Sequence, residues 1–159
     1  MLYTAEQRQR RDKSVWTLVQ GVLAPVQFLV FLISLALVLR FLATGEGQNL
    51  AIASVVVKTF ALYIIMITGC IWEKVVFDCY LFAPAFYWED MFSMLVLALH
   101  TWYLAALLTQ SLSTTELMYL ALAAYAAYVV NAVQFILKLR AARLGQTRQA
   151  AMADPRVTA

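Results

Sequence analysis

The sequence predicts an all-α, polytopic membrane protein that forms a bundle of about four transmembrane helices. Of its 159 residues, 64% are hydrophobic and only 13% are charged, and the mean hydropathy is +0.76. Soluble domains are closer to half apolar and a quarter charged, so lipid must cover much of this surface. Four apolar stretches are long enough to cross a hydrocarbon core of about 30 Å, which takes about 20 helical residues.

The apolar stretches predict helices at about 15–42, 50–72, 91–108 and 117–137. Gly45 and Gly47 lie in the turn between the first two helices, and glycine is typical of helix ends and turns. Ser113 or Thr114 is expected to cap the fourth helix, because a short hydroxyl side chain can accept from the first free backbone N–H groups.

Basic residues flank the predicted bundle on both sides. They are Arg8, Arg10, Arg11 and Lys13 before the first helix, and Lys138, Arg140, Arg143 and Arg148 after the fourth. Because positive flanks stay in the cytoplasm, both termini are predicted to be cytoplasmic. Residues 1–145 are then a single transmembrane domain, and 146–159 a flexible cytoplasmic tail. The flanks also explain the net charge of +3, so no nucleic-acid partner is expected.

The segment between the second and third helices, residues 72–90, is unusual for a cytoplasmic loop. It mixes seven aromatic residues with four carboxylates. We expect it to lie at the membrane surface or to dip back into the shelter of the bundle. Pro84 should break any helix that runs through it.

Three carboxylates in this segment, Glu73, Glu89 and Asp90, are the candidate catalytic groups. They lie at the ends of neighbouring helices, where partial burial would allow a carboxyl group to hold and donate a proton. Four aromatic residues are candidates for lining a pocket: Trp72, Phe86, Tyr87 and Trp88. The alternative for both sets is an interfacial aromatic belt with solvated acids.

Polar residues deeper in the predicted helices are further candidates, because their burial is costly. His100 and Lys58 lie near the middle of the bilayer, and Asn131 shares a helical face with Gln134. The alternative for Asn131 and Gln134 is interhelical hydrogen bonding. For Lys58 it is an ion pair or snorkelling, and for His100 a structural hydrogen bond with Thr101 or a neighbouring helix. A neutral histidine can instead ligate a metal, including one carried by a ligand.

Cofactor and metal signals are weak. The two cysteines, Cys70 and Cys79, match neither a metal-ligand spacing nor a disulfide framework. The sequence contains no GxGxxG, no CxxC pair and no P-loop. No cofactor and no metal site of the protein's own are therefore predicted.

Five stretches of the sequence carry a family resemblance: MLYTAEQRQRRD (1–12), SVWTLVQGVLAP (14–25), IWEKVVF (71–77), YLFAPAFYWED (80–90) and AAYAAYVVNA (123–132). They resemble the 3-vinyl (2-vinyl) bacteriochlorophyllide hydratase family of bacteriochlorophyll biosynthesis, and the similarity fades after about Leu144. The resemblance implies a lyase that adds water to the C3 vinyl group of a (bacterio)chlorophyllide, giving a 1-hydroxyethyl group. It implies a magnesium tetrapyrrole substrate and a bacterial inner membrane or intracytoplasmic photosynthetic membrane as the location.

Hydration of a vinyl group needs an acid and a base, and we assign these roles to the candidate residues as a hypothesis, because the resemblance itself transfers no catalytic residue. Glu73 or Glu89 would be the acid, with Asp90 or the other glutamate as the base. The four aromatic candidates, together with Lys58 and Asn131, would bind the substrate.

The candidate ligand for the ring magnesium is His100. Glu89 and His100 share a helical face but lie about 16 Å apart along the axis. Both reach one macrocycle only if it stands on edge between helices.

Two other classes of protein fit the sequence less well. One is a non-catalytic tetrapyrrole carrier or assembly factor, which would use the same pocket for binding alone. The other is a small proton-coupled exporter, which is disfavoured because the first helix lacks the membrane-embedded carboxylate of four-helix exporters. The sequence leaves open a homo-oligomer and an association with other pigment-synthesis enzymes.

Overall fold

The computed structural model describes residues 2–153, with side chains described as far as residue 145. Its helices are α1 (Ala5–Lys13), α2 (Val15–Thr44), α3 (Gln48–Phe77), α4 (Tyr87–Thr109) and α5 (Thr114–Ala153). Within the described residues there is no strand. Helices α2, α3 and α4, and the part of α5 from Thr114 to Gly145, are long and apolar enough to cross a membrane. The predicted all-α fold with four spans is confirmed.

The connection between α3 and α4 is shorter than the sequence predicted. Since α3 continues to Phe77 and α4 begins at Tyr87, only residues 78–86 lie outside the helices. Asp78 closes α3 in the left-handed conformation, with φ of 66°, which aspartate adopts more readily than most residues. Pro84 lies in this connection, as predicted, and the three candidate carboxylates lie within the adjoining helices.

The basic N-terminal flank contains a helix that the sequence did not predict. Thr4 caps α1 through a capping box: its hydroxyl accepts from the Gln7 backbone N–H at 3.2 Å, and the Gln7 side chain accepts from the Thr4 backbone N–H at 2.9 Å. Tyr3 stacks on Phe77 with ring centroids 5.7 Å apart. Helix α1 therefore packs against the end of α3.

The two predicted helix boundaries at the opposite end are confirmed. Gly45 ends α2 with φ of 75°, a conformation that costs glycine little. Ser113 caps α5: its hydroxyl accepts from the Glu116 backbone N–H at 3.4 Å, and its own N–H donates to the Glu116 carboxylate at 2.8 Å. These turns reverse the chain between antiparallel helices.

The bundle consists of two helical hairpins, in which α2 packs mainly on α3 and α4 mainly on α5. Ser34 of α2 joins the hairpins, because its hydroxyl lies 2.6 Å from the Tyr125 hydroxyl and 2.7 Å from the Ser54 hydroxyl. The core around them contains Phe31, Val38, Ala51, Val55, Tyr103, Ala106, Leu117, Met118, Ala121 and Tyr125. Such hydrogen bonds help to hold helices together in lipid, where apolar contacts alone provide little preference.

Large apolar side chains remain exposed on the outer faces of all four spans. Examples are Leu18, Leu29, Ile33, Val57, Ile64, Ile67, Leu95, Trp102, Val133 and Ile136. An apolar surface of this extent is compatible with lipid and would be unfavourable in water. The protein is therefore a multi-pass membrane protein.

The backbone of α5 continues to Ala153, so it includes residues 146–153 of the segment that the sequence predicts as a tail. Residues 154–159 lie outside the described residues, so the flexible tail stays a prediction. Four crossings bring the start of α2 and the end of the α5 span to the same end of the bundle. Their cytoplasmic orientation is a prediction from the basic flanks.

That orientation can be tested with three epitope tags in intact spheroplasts. Tags at the two termini should be protected from added protease, because the basic flanks keep both ends in the cytoplasm. A third tag between Gln110 and Ser111 should be cleaved, because this turn lies at the opposite end of the bundle. Cleavage of a terminal tag with protection of the turn would show the reverse orientation.

Candidate active site

One end of the bundle holds all three candidate carboxylates. It is formed by α1, the end of α3, residues 78–86, the start of α4 and the last part of the α5 span. Glu73 and Glu89 are each 6% exposed and Asp90 is 4% exposed. Their burial excludes the interpretation that they are ordinary solvated acids.

Glu73 and Asp90 form a carboxyl pair that joins α3 to α4. The two side chains are within hydrogen-bonding reach of each other. Asp90 Oδ2 accepts from the Phe82 backbone N–H at 2.8 Å, and Glu73 Oε2 accepts from the Ala83 backbone N–H at 3.5 Å. Two carboxyl groups this close hold together when they share a proton, because one can then donate to the other.

Glu89 is engaged differently, in an ion pair with Lys138 of α5. The Lys138 ammonium also donates to the carbonyl oxygen of Ala85. It therefore ties α5 to both the start of α4 and the preceding loop. Breaking one partner of such a sheltered pair is costly, because the other is left with uncompensated charge.

An aromatic cluster lies beside the carboxylates. Phe86, which is 1% exposed, contacts Trp72, Phe77 and Phe135, each with ring centroids 5.7 Å apart. The Trp72 indole N–H donates to the Thr17 hydroxyl at 2.9 Å. The structure thus brings Trp72 and Phe86 together, but Phe86 is in the packed interior.

Two of the predicted aromatic residues lie away from this cluster. Tyr87 is 46% exposed and Trp88 is 68% exposed, and both project from the first turn of α4. Their rings contact each other at 5.7 Å. They have the exposure expected of an interfacial belt, and their assignment to a ring site stays a prediction.

A cleft of about 780 Å³ adjoins the carboxyl cluster. Its lining consists of Leu2, Tyr3, Gln7, Arg8, Phe77, Pro84, Ala85, Lys138, Ala141, Ala142 and Gly145. Lys138 belongs both to this wall and to the ion pair with Glu89. The Ala83 N–H that binds Glu73 is next to Pro84 of the wall. None of the three carboxylates is among the described lining, but these two contacts connect Glu89 and Glu73 to its wall.

Four lining residues, Tyr3, Gln7, Arg8 and Phe77, are not among the candidate site residues of the sequence. The sequence places Arg8 in the basic flank before the first span and Phe77 in the connection between the second and third spans. One signal could have found them, since residues 1–12 are one of the stretches that carry the family resemblance. A flank that only orients the chain needs positive charge but no aromatic residue at position 3.

This environment shifts the pKa values of three ionisable groups outside the spans. Burial raises the pKa of the Tyr3 hydroxyl, with the Arg11 guanidinium opposing the effect. Burial also raises the pKa of the Cys79 thiol, and the neighbouring Glu73 and Asp90 add to it. The exposed Asp78 behaves oppositely: a hydrogen bond from Lys74 at 2.8 Å lowers the pKa of its carboxyl.

Lys58 is fully buried among α2, α3 and α5 and does not reach the cleft. Its ammonium lies 3.7 Å from the centre of the Tyr128 ring. The Gln27 side-chain amide is oriented so that both of its polar atoms are bonded. Its oxygen accepts from the Lys58 ammonium at 2.8 Å, and its nitrogen donates to the Ala61 carbonyl at 3.1 Å. Snorkelling is therefore wrong for Lys58. The expected ion pair is also wrong among the described residues, and a cation–π contact replaces it.

The other deep polar residues serve the packing of helices. Asn131 donates to the Ser93 hydroxyl at 2.8 Å, which confirms the interhelical hydrogen bond considered for it. His100 is fully buried, and its Nδ1–H donates to the Val96 carbonyl at 2.8 Å. The predicted hydrogen bond between His100 and Thr101 is wrong, because the Thr101 hydroxyl bonds instead to the Tyr63 hydroxyl, 2.9 Å away. His100 does not line the cleft.

The fold and the buried carboxyl cluster define a small polytopic membrane protein with the groups that acid–base chemistry uses. A family model of 2-vinyl bacteriochlorophyllide hydratase matches residues 3–141. The chain therefore belongs to the 2-vinyl bacteriochlorophyllide hydratase family.

Two curated relatives are similar over most of their length, and both bear the name 2-vinyl bacteriochlorophyllide hydratase. The protein of Cereibacter sphaeroides is 66% identical over 143 residues, which cover 90% of this chain and 89% of the relative. That of Rhodobacter capsulatus is 62% identical over 143 residues, covering 90% and 83%. No solved structure matches the chain.

Replacing His100 distinguishes a packing role from magnesium binding. His100→Ala should lower the free energy of unfolding in detergent by about 2–4 kcal/mol, the scale of a large-to-small change in a core. Pigment affinity of the folded fraction should be unchanged, because His100 does not line the cleft. Leu108→Ala is the control and should change stability little, because Leu108 is 82% exposed on the same helix. A large loss of affinity for magnesium-containing pigment, but not for the magnesium-free form, would instead support ligation.

Proposed function

We propose that this protein is a hydratase that adds water to the vinyl group of a bacteriochlorophyllide during bacteriochlorophyll biosynthesis. The names of relatives that are 62–66% identical support this activity. The structural observation that carries the proposal is the cluster of three buried carboxyl groups beside a cleft of about 780 Å³. This volume lies in the range of about 300–1,000 Å³ that is usual for small-molecule sites.

The reaction needs an acid, a base and stabilisation of positive charge. Protonation of the terminal vinyl carbon leaves a cation on the carbon attached to the macrocycle, where conjugation spreads the charge. Water then forms a bond to that carbon and gives up a proton to a base, so a 1-hydroxyethyl group results and one water is consumed. A negative charge near the developing cation lowers the barrier.

The Glu73–Asp90 pair is suited to supply the proton. Asp90 accepts a hydrogen bond from the Phe82 backbone N–H, which favours the ionised form of its carboxyl group. The shared proton then belongs on Glu73, which donates it to Asp90 in the resting site and, through a bound water that reaches the cleft, to the vinyl carbon in the reaction. This assignment makes Glu73 the acid and Asp90 the group that orients it.

Glu89 is suited to the opposite role. Its ion pair with Lys138 keeps a negative charge next to the wall of the cleft. A carboxylate there can attract the cation and take the proton from the attacking water. Lys138 holds Glu89 in position without donating a proton to the substrate.

The proposed ring site is the cleft. Tyr3, Phe77 and Pro84 offer flat apolar surfaces for a macrocycle, and Trp72 and Phe86 pack behind them. Lys58 and Asn131, proposed from the sequence as substrate ligands, would act only through the packing of the helices. Because the basic flanks favour the cytoplasmic side, the substrate would enter from the cytoplasmic leaflet of a bacterial inner or photosynthetic membrane.

Isolated membranes test the activity directly. Membranes from a heterologous host that expresses the protein should convert 3-vinyl bacteriochlorophyllide to a product heavier by one water, as measured by pigment chromatography and mass spectrometry. Membranes without the protein are the control. Stoichiometric binding of pigment with no new product would support a carrier and contradict the hydratase.

The acid and the base can be tested by amide substitution. Glu73→Gln and Glu89→Gln should each lower kcat by about two orders of magnitude or more, the usual scale for general acid–base assistance. Glutamine keeps the size of the side chain but cannot exchange a proton at neutral pH. Asp78→Asn is the matched control, because Asp78 is exposed in the same region, and it should keep its full rate. Normal rates in both glutamate variants would contradict the mechanism.

A double variant separates chemistry from folding at Glu89. Glu89→Gln also removes the partner of Lys138, so it should lower the thermal stability as well as the rate. Adding Lys138→Met removes the stranded charge and should restore much of the stability but none of the turnover. Recovery of turnover along with stability would show that Glu89 is only structural.

A further inference from the structure

The cleft beside the carboxyl cluster has basic residues that the hydration chemistry does not use. Arg8 from α1 and Lys138 from α5 both line it, whereas no acidic residue is among its described lining. An apolar cleft with a net positive wall is electrostatically suited to a flat ligand that also carries an anionic group.

The two cations differ in what they already bind. Lys138 is engaged by Glu89 and by the Ala85 carbonyl. Arg8 forms no ion pair with any residue in the described part of the chain. Its Nε is buried and likewise lacks a hydrogen-bond partner there. A guanidinium N–H in this state is expected to have an acceptor outside the described residues, and its place on the wall of the cleft favours a bound ligand.

Tyr3 lines the same cleft, and the proton of its hydroxyl also lacks an acceptor among the described residues. Tyr3 is 3% exposed, and the Arg11 guanidinium beside it can donate to the hydroxyl oxygen but cannot accept the hydroxyl proton. The ring is held from both sides, by stacking on Phe77 and by the Arg11 guanidinium 4.7 Å from its centre. Tyr3 therefore offers a second fixed donor for an anion.

We infer that Arg8, assisted by the Tyr3 hydroxyl, binds the free propionate of the tetrapyrrole, so that the protein selects the unesterified pigment. This inference rests on the proposed function. A chlorophyllide carries a free carboxylate at the position where a chlorophyll carries an ester. A guanidinium binds a carboxylate through two parallel charge-assisted hydrogen bonds, which an ester cannot form.

Binding of the acid at this wall also orients the rest of the ring. Arg8 belongs to α1, whereas Lys138 and its partner Glu89 belong to α5 and α4. The propionate and the vinyl group are on different rings of the macrocycle. Fixing the propionate at Arg8 leaves the vinyl-bearing ring free to lie against the wall next to the carboxyl cluster.

The test compares 3-vinyl bacteriochlorophyllide with its methyl ester, using the full-length protein in membranes. The wild type should have a KM about 10- to 100-fold lower for the free acid, the scale of a charge-assisted contact. Arg8→Gln should raise the KM for the free acid to that for the ester, leaving the ester KM and both kcat values nearly unchanged. Arg8→Lys should recover part of the preference, and Tyr3→Phe should lose a smaller part.

Arg10→Gln is the matched control for the loss of one positive charge from α1. Arg10 is exposed and pairs with Glu6 on its own helix, so this variant should keep the full preference for the free acid. Equal loss in both variants would reduce the effect to general attraction of an anion and overturn the inference. The same follows if the wild type does not distinguish acid from ester.

Two further outcomes distinguish failure of the inference from failure of the proposed function. If Arg8→Gln weakens acid and ester alike, the arginine supports the cleft without recognising the propionate, and the inference is wrong. If the wild type hydrates neither pigment, the proposed function fails, and quenching of tryptophan fluorescence by each pigment decides the inference alone. Tighter binding of the free acid that depends on Arg8 would still support it, and equal binding would overturn it.

Discussion

The structure depends on providing partners for the three carboxyl groups that it buries at one end of a membrane bundle. A sheltered charge without a partner costs several kcal/mol, so each carboxyl is engaged: Glu89 by Lys138, and Glu73 and Asp90 by each other and by backbone N–H groups. Apolar contacts are poor at fixing helix positions in lipid, because lipid tails are equally apolar. The carboxyl network therefore determines how α3, α4 and α5 meet at this end.

The same network explains the irregular backbone next to it. Phe82 adopts a positive φ of 59°, which is unfavourable for an aromatic residue, and its N–H donates to Asp90. The Ala85 carbonyl is oriented toward Lys138. A loop held by both neighbouring helices is a rigid support, and rigid support is what positions acid and base groups to within hydrogen-bonding distance. The unusual composition of this segment is thus explained by its contacts.

How much the sequence could predict differs between the fold and the site. Hydropathy identifies the four spans, and a short connection brings Glu73 near Glu89 and Asp90 because their helix ends must meet. The exposure of Trp88 was not predictable, because it depends on the helical phase of α4, in which Glu89, Ser93, Val96 and His100 take the buried face. The partners of Lys58 come from other helices, and the role of α1 depends on the contact between Tyr3 and Phe77. One sequence contains no information on such distant pairings beyond residue type.

The position of the carboxyl cluster fits the different solubilities of the two proposed reactants. A tetrapyrrole macrocycle dissolves in lipid, whereas water is scarce in the hydrocarbon core. The middle of the bundle, around Lys58 and His100, is packed with tyrosine rings, and neither residue lines the cleft. The end of the bundle has a loop, a cleft and the charged helix α1, so it is suited to the boundary between lipid and water. The proposed vinyl hydration fits this boundary, where an apolar ring can lie close to carboxyl groups that are sheltered but still within reach of water.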